Sequence, residues 1–213
     1  CGEECMNAHW PKHKEYHRVQ KQHAKEILEG DLPEYDRALA ETQARRAERT
    51  GGEYSKRFAA ALAFGAEDDH NAAAKAWRKI IKEWPDKPAT YHNLAVALER
   101  SDHFTESAPM YLTAMELEED GTERWAKAAA SAFNTLRRPD CDEAPKPEWW
   151  NDEALKALSA RVVAVAPEEV ISCAMRACVL SGDALFKALW NVGPRTAVEI
   201  KEAAVWHRRG AMV

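Results

Sequence analysis

Apolar and polar positions along this chain alternate with a helical rhythm, and from about Ser55 the rhythm repeats. Stepping back 34 residues from the stretch TYHNLAVALERSDHFTESAPMYLTAMELEED sets Leu98 on Phe64, Tyr111 on Trp77, Ala114 on Ile80 and Glu119 on Pro85. Stepping forward by the same interval sets Tyr91 on Trp125, and Leu94 and Ala95 on Ala128 and Ala129. Each interval therefore predicts a helix, a short turn and a second helix. Small residues such as Ala73, Ala95, Ser107 and Ala129 let the two helices of a pair approach closely. Large ones such as Phe64, Trp77, Leu98 and Tyr111 fill the space between pairs. Pro85 with the following DKP ends one interval, and Asp120-Gly121 ends the next.

This period of 34, with its paired helices and a proline near the end, resembles the tetratricopeptide repeat (TPR). The resemblance implies an all-α chain in which helical hairpins stack into a right-handed α-solenoid, because no hairpin hides its apolar face alone. The third interval is longer. Pro167 takes the part of Pro85, but 82 residues separate them, about 14 more than two periods. The Pro- and acid-rich stretch 139–151 accounts for the excess as a loop inside the third hairpin. A fourth unit begins near Cys173 with CAMRACVLSGD, followed by DALFKALW as a short second helix. Gly193-Pro194 breaks the chain, and residues 196–209 form a last helix that caps the array.

Upstream, two helical segments are expected over residues 16–28 and 33–50, separated by EGDLP, where Gly30 stops the first and Pro33 suits the start of the second. Apolar residues there are too sparse for a deep core. The organisation expected is an opening segment over 1–18, linking helices over 19–54, and the repeat domain over 55–213.

Composition changes this picture little. Ala, Leu, Glu, Lys and Arg dominate and there are only 9 glycines, which favours helix. No apolar run approaches membrane-spanning length. A net charge of −5 argues against a general nucleic-acid binder, although Lys12, Lys14, Arg18, Lys21 and Lys25 make one basic helix near the start. Five cysteines, odd in number and dispersed, do not form a secreted disulfide framework, so an intracellular setting, cytoplasm or nucleus, is expected. The chain begins with Cys rather than Met and is read as a fragment of a longer one.

The opening CGEECMNAHWPKHKEYH places Cys1, Cys5, His9, His13 and His17 at every fourth position. Its Cys pair spaced by three, its His-Trp dipeptide and the histidine four beyond resemble the second half of a MYND-type zinc finger. His17 stands where that family carries its final Cys, and histidine also binds zinc. The resemblance implies two zinc ions, one sharing Cys1 and Cys5 with an absent pair, the other sharing His13 and His17 with another. Three outcomes fit these residues: one zinc gathered by Cys1, Cys5, His13 and His17, no metal at all, or an incomplete two-ion arrangement. His9 and Trp10 are read as packing residues.

No phosphate-binding glycine loop, metalloprotease motif or nucleophile elbow is present, so no enzyme activity is expected. A scaffold is expected instead, binding a protein or peptide in a groove lined by Phe58, Leu62, His92, Asn93, Val96, Lys127 and Ala130. The competing class is a regulatory or nucleic-acid-associated protein acting through the basic opening helix and zinc finger. Repeat proteins that clamp a terminal carboxylate need Lys, Asn and Arg at five positions. Here those positions hold Phe58, Leu62, Asn93, Glu123 and Lys127, which excludes that mode.

Zinc content per chain after exhaustive dialysis separates the metal outcomes. If the four ligands share one ion, the chain retains one equivalent and Cys1→Ser with Cys5→Ser releases it. Zero in both proteins removes the metal.

Overall fold

The computed structural model describes residues 37, 38, 40–42, 44, 45, 47, 51–182 and 190–211. The four proposed zinc ligands, the basic opening helix and the expected helix over 16–28 lie outside the described residues. The chain divides into two compact units, Cys1–Asp69 and His70–Val213. Among the described residues the structure is all-helical, with no strand.

In the first unit, α1 runs Glu53–Ala66 and buries Ala59 and Ala61. Tyr54 and Phe58 tilt against each other at 5.7 Å, as residues four apart on a helix must. Phe64, expected to fill space between hairpins, is 39% exposed. Among the fragmentary residues before it, Ala40 and Ala47 are buried on a helical stretch.

The second unit contains α2 (His70–Glu83), α3 (Pro88–Arg100), α4 (Phe104–Leu117), α5 (Glu123–Leu136), a 3-10 turn (Pro139–Cys141), α6 (Asp152–Val165), α7 (Val170–Ser181) and α8 (Ala197–Gly210). Each helix packs on the next in chain order, and α5 also packs on α7. Starts and stops follow local chemistry. Pro88 opens α3, where a missing N–H costs nothing. Thr122 and Asn151 cap α5 and α6 by accepting from Trp125 N and Ala154 N. Helix α7 starts at Val170, three residues before the expected Cys173, because Glu169 already takes the N-cap position.

The period of 34 reappears as geometry. Asp68 and Asp102, 34 positions apart, both take the left-handed conformation, with φ of 65° and 62°. In each turn the following N–H reaches back over the helix end, Asp69 to the Phe64 carbonyl at 2.9 Å and His103 to that of Leu98 at 2.8 Å. The two turns thus share residue type, φ and hydrogen bond at the interval expected from sequence.

Close approach depends on the small residues. Ala73, Ala95, Ser107 and Ala129 have at most 1% of their surface exposed. The Ser107 hydroxyl donates to the Ala95 carbonyl at 2.9 Å, a side chain of α4 reaching the backbone of α3. Trp77, Leu98 and Tyr111 fill the larger spaces. The main core gathers Trp125, Phe133, Leu155, Val162, Met175, Val179 and Trp190. Phe133, Trp150 and Trp190 form a triangle with ring centroids 5.6–5.9 Å apart, in tilted and edge-on geometries that favour aromatic contact. Trp149 and Trp150, within the 139–151 stretch that joins α5 to α6, thus pack inward on this core. The residues 183–189 expected as a short helix lie outside the described residues.

The left-handed aspartates carry a conformational cost that glycine would relieve. Asp102→Gly is expected to raise unfolding stability by about 1 kcal/mol in urea titrations, the relief being offset in part by a freer unfolded chain. Gly182→Ala should do the opposite: Gly182 has a φ of 73°, and a methyl there would lie 2.8 Å from Val192 Cγ1.

Candidate partner-binding cleft

The groove residues expected from sequence divide between the two units. Phe58 and Leu62 are half-buried on α1. His92, Asn93 and Val96 are half-buried on α3, while Lys127 is exposed on α5. Ala130 has no exposed surface and belongs to the core with Trp125 and Phe133, so it contributes no lining. Its burial has a wider meaning. Along α5 only Glu123, Arg124 and Lys127 of the first turns are exposed and only Asn134 is part-exposed; every other residue is buried. The lateral surface of α5 is therefore largely closed to solvent beyond its first turns.

What remains open is the N-terminal end. A cleft of about 540 Å³ lies between the start of α5 and the α6–α7 connection, lined by Glu123, Arg124, Lys127, Ala166, Pro167, Glu168 and Glu169. The capped start of α5 sets Lys127 one turn in, and Pro167 ends α6 so that Glu169 faces it. The Lys127 ammonium sits 3.7 Å from the Glu169 carboxylate, with both side chains open to water. Such a pair is weak and exchangeable, so an incoming charged group can replace either partner. Arg161 adds a cation over the Trp125 ring, its carbon 4.7 Å from the centroid.

Beside the cleft, His92 meets the edge of Tyr111 at 5.2 Å. Burial, and secondarily the positive charge of Lys127, push the His92 imidazole down to about 4. It is therefore neutral at physiological pH, able to donate through one ring nitrogen and accept through the other. Burial also pushes the Tyr111 hydroxyl well above its ordinary value, with the Glu99 carboxylate, accepting from it at 2.9 Å, acting in the same direction. Asn93 is turned inward, its amide donating to the Ala89 carbonyl one turn back at 2.7 Å. Val96 packs on the cluster of Ala95, Tyr111 and Ala132.

Among the described residues no group of three or more His, Cys, Asp or Glu side chains is placed to hold a metal ion. A second cleft, about 510 Å³, is lined by Thr105, Pro139 and three carboxylates, Asp140, Asp142 and Glu143, at the solvated surface of the α5–α6 connection. Cys141, Cys173 and Cys178 are buried thiols. Burial pushes the Cys141 and Cys173 thiols up, which makes them poor nucleophiles.

The strongest electrostatic cluster has no counterpart among the sequence motifs. Arg195 donates to both Asp152 oxygens, at 2.8 and 2.5 Å, and to the Val179 carbonyl at 2.9 Å. Trp190 Nε1 donates to Asp152 at 3.2 Å. These bonds, Arg195 first, hold the Asp152 carboxyl well below the usual range against the opposing effect of burial. The side chains are 8% and 17% exposed, and every donor direction but Arg195 Nε is used. This is a structural clamp: it holds the chain after α7 against the start of α6. No residue spacing announces it, since 43 positions separate the partners.

The chain matches no protein-family model and no curated protein sequence.

His92 supplies a pH test. Its folded value lies below its ordinary 6.5, so the unfolded chain binds a proton that the folded chain refuses. The contribution of His92 to stability is expected to fall as pH drops from 6.5 to about 4 and to level off below that, where the depressed carboxylates of Glu199 and Asp152 begin to lose theirs. His92→Gln should flatten this segment of the stability profile, leaving the share that comes from His207, whose imidazole is also pushed down by burial. By NMR the wild-type His92 imidazole should titrate only toward the acid end of the window.

Proposed function

We propose that this protein is an interaction scaffold, a TPR-like α-solenoid that binds a peptide or partner helix at the open ends of its first helices. The observation that carries this reading is the combination of chain-order hairpin packing, with α5 also on α7, and the charged cleft left open where those helices begin. Hairpins that pile one on another bury their own apolar faces and leave the helix ends for another chain. The cleft offers exchangeable charges at Lys127 and Glu169, an exposed cation at Arg124 and a neutral histidine nearby, which suit the backbone and side chains of a peptide.

The role is one of binding rather than of a chemical step. The zinc-finger-like opening is a second contact surface in this reading, holding zinc through Cys1, Cys5, His13 and His17. Three buried cysteine thiols support a reducing compartment, cytoplasm or nucleus. No helix among the described residues is long and apolar enough to cross a membrane.

Selection of a displayed peptide library on the full chain, followed by titration of a chosen peptide, tests the proposal. Lys127→Glu combined with Arg124→Glu is expected to weaken binding about tenfold or more without loss of helicity. An acidic peptide ending in a free carboxylate should show no micromolar affinity. Peptides that bind equally well to the double variant would place the site elsewhere. A single-stranded oligonucleotide bound more tightly than any peptide, with affinity falling steeply between about 50 and 200 mM salt, would replace the scaffold by a nucleic-acid-associated protein.

A further inference from the structure

The last helix is attached by different physics from the rest of the unit. Helix α8 packs along α7, yet Ala203 is its single buried residue. Val198, Ile200 and Val205 are 73, 47 and 50% exposed. By contrast α5 buries ten of its residues. What α8 lacks in apolar burial is replaced by charge at intervals along its length. Lys156 of α6 meets Glu199 at 2.7 Å, Arg176 of α7 meets Glu202 at 2.9 Å, and Glu168 before α7 meets Arg209. Trp206 Nε1 also donates to Glu202 at 3.2 Å. The Asp152–Arg195 clamp fixes the chain just before the helix begins.

We propose that α8 is a releasable strap, latched by these ion pairs to α6, to α7 and to the turn between them, and that it opens locally while the core remains folded. Segments with few buried apolar contacts open at lower free energy than the core that carries them. The three pairs along α8 are partly solvated, with Glu199 20%, Glu202 40% and Glu168 68% exposed, so salt weakens them. Opening uncovers the face of α7 around Cys173, which is 0% exposed. Gly210 lies directly against that residue: a methyl built on it would approach the Cys173 Cβ to 3.3 Å and the Val170 carbonyl to 3.6 Å. The strap thus covers a surface of the array that becomes available to another helix only when the latch is broken.

Cys173 reports the opening. The full chain is treated with N-ethylmaleimide at constant pH, then digested with trypsin, which cleaves at Arg176 and puts Cys173 and Cys178 on separate peptides. Cys173 is expected to be labelled faster than Cys178, which packs in the main core, and Cys141, which ends the 3-10 turn. Raising sodium chloride from about 0.05 to 0.5 M should increase the Cys173 rate several-fold and leave the other two unchanged. Glu202→Gln should raise the Cys173 rate about two- to fivefold at low salt. Arg176 keeps the Lys156 carbonyl at 2.9 Å and Ser159 Oγ at 3.2 Å, and the glutamine carbonyl can still accept from it, so this variant removes the opposing charge while the guanidinium N–H groups keep acceptors. Three thiols labelled at one common rate would mean that only global unfolding exposes them, and the strap would be abandoned. A Cys173 rate that ignores both salt and the substitution would overturn it equally. Should Glu202→Gln lose its near-ultraviolet dichroism, the wild-type salt series decides alone.

Discussion

The second unit depends on how near three helices can come to α5. Ala126, Ala128, Ala129, Ala130 and Ala132 leave almost no side chain between the axis of α5 and its neighbours, so α4, α6 and α7 all approach it. Alanine gains little from burial, but it allows its neighbours' large side chains to be buried in turn. Trp125 and Phe133 lie eight residues apart on the same helix and fill the spaces at its two ends. A side chain larger than alanine at any of these five positions would separate helices that now touch, and the aromatic triangle around Phe133 would lose contact first.

The same constraint decides where the surface is open. A helix wrapped on three sides keeps only its ends for solvent, and α5 keeps its first turns, with Glu123, Arg124 and Lys127. Charges gather there because buried alanine leaves no other place for them on this helix. The Lys127–Glu169 pair and the depressed pKa of His92 are consequences of that crowding, one at the rim and one just beneath it. The clamp on Asp152 is a different case. Its arginine is deeply covered, and removing the carboxylate would leave a buried cation, which costs about 3–5 kcal/mol.

Much of the helical layout was legible because it is written in local chemistry. Pro88, Thr122, Asn151 and Thr196 each sit at a helix start, and the small residues named from the repeat are the ones buried at helix crossings. Asp68 and Asp102, 34 positions apart, take the same left-handed state, a likeness not among the expectations drawn from the sequence. Three things were not legible, each for a physical reason. Phe64 occupies the repeat position of Leu98, yet it is 39% exposed where Leu98 is 3%, because burial depends on neighbours that periodicity does not describe. Ala130 has the helical phase of a lining residue, and only the number of helices around α5 removes it from the surface. The Asp152–Arg195–Trp190 clamp joins residues about forty positions apart, and no periodic or motif signal links them.

Core and strap show how one small chain can combine permanence with release. Apolar burial around α5 is short-ranged and insensitive to salt, so it holds the hairpins together under any solution condition that keeps water out. Ion pairs along α8 act through partly solvated charges, whose strength depends on ionic strength and on what other charges approach. A helix held in this way is peeled off against a small part of the hydrophobic effect, because Val198, Ile200 and Val205 already keep about half or more of their surface in water and the covered apolar surface is mainly that of Ala203 and half-buried Trp206. Its release costs ion pairs that water and salt largely replace, together with the covering of Ala203 and of Cys173 beneath Gly210. The balance between those two terms is small by construction, and a competing helix with a matching row of charges would act on that balance directly.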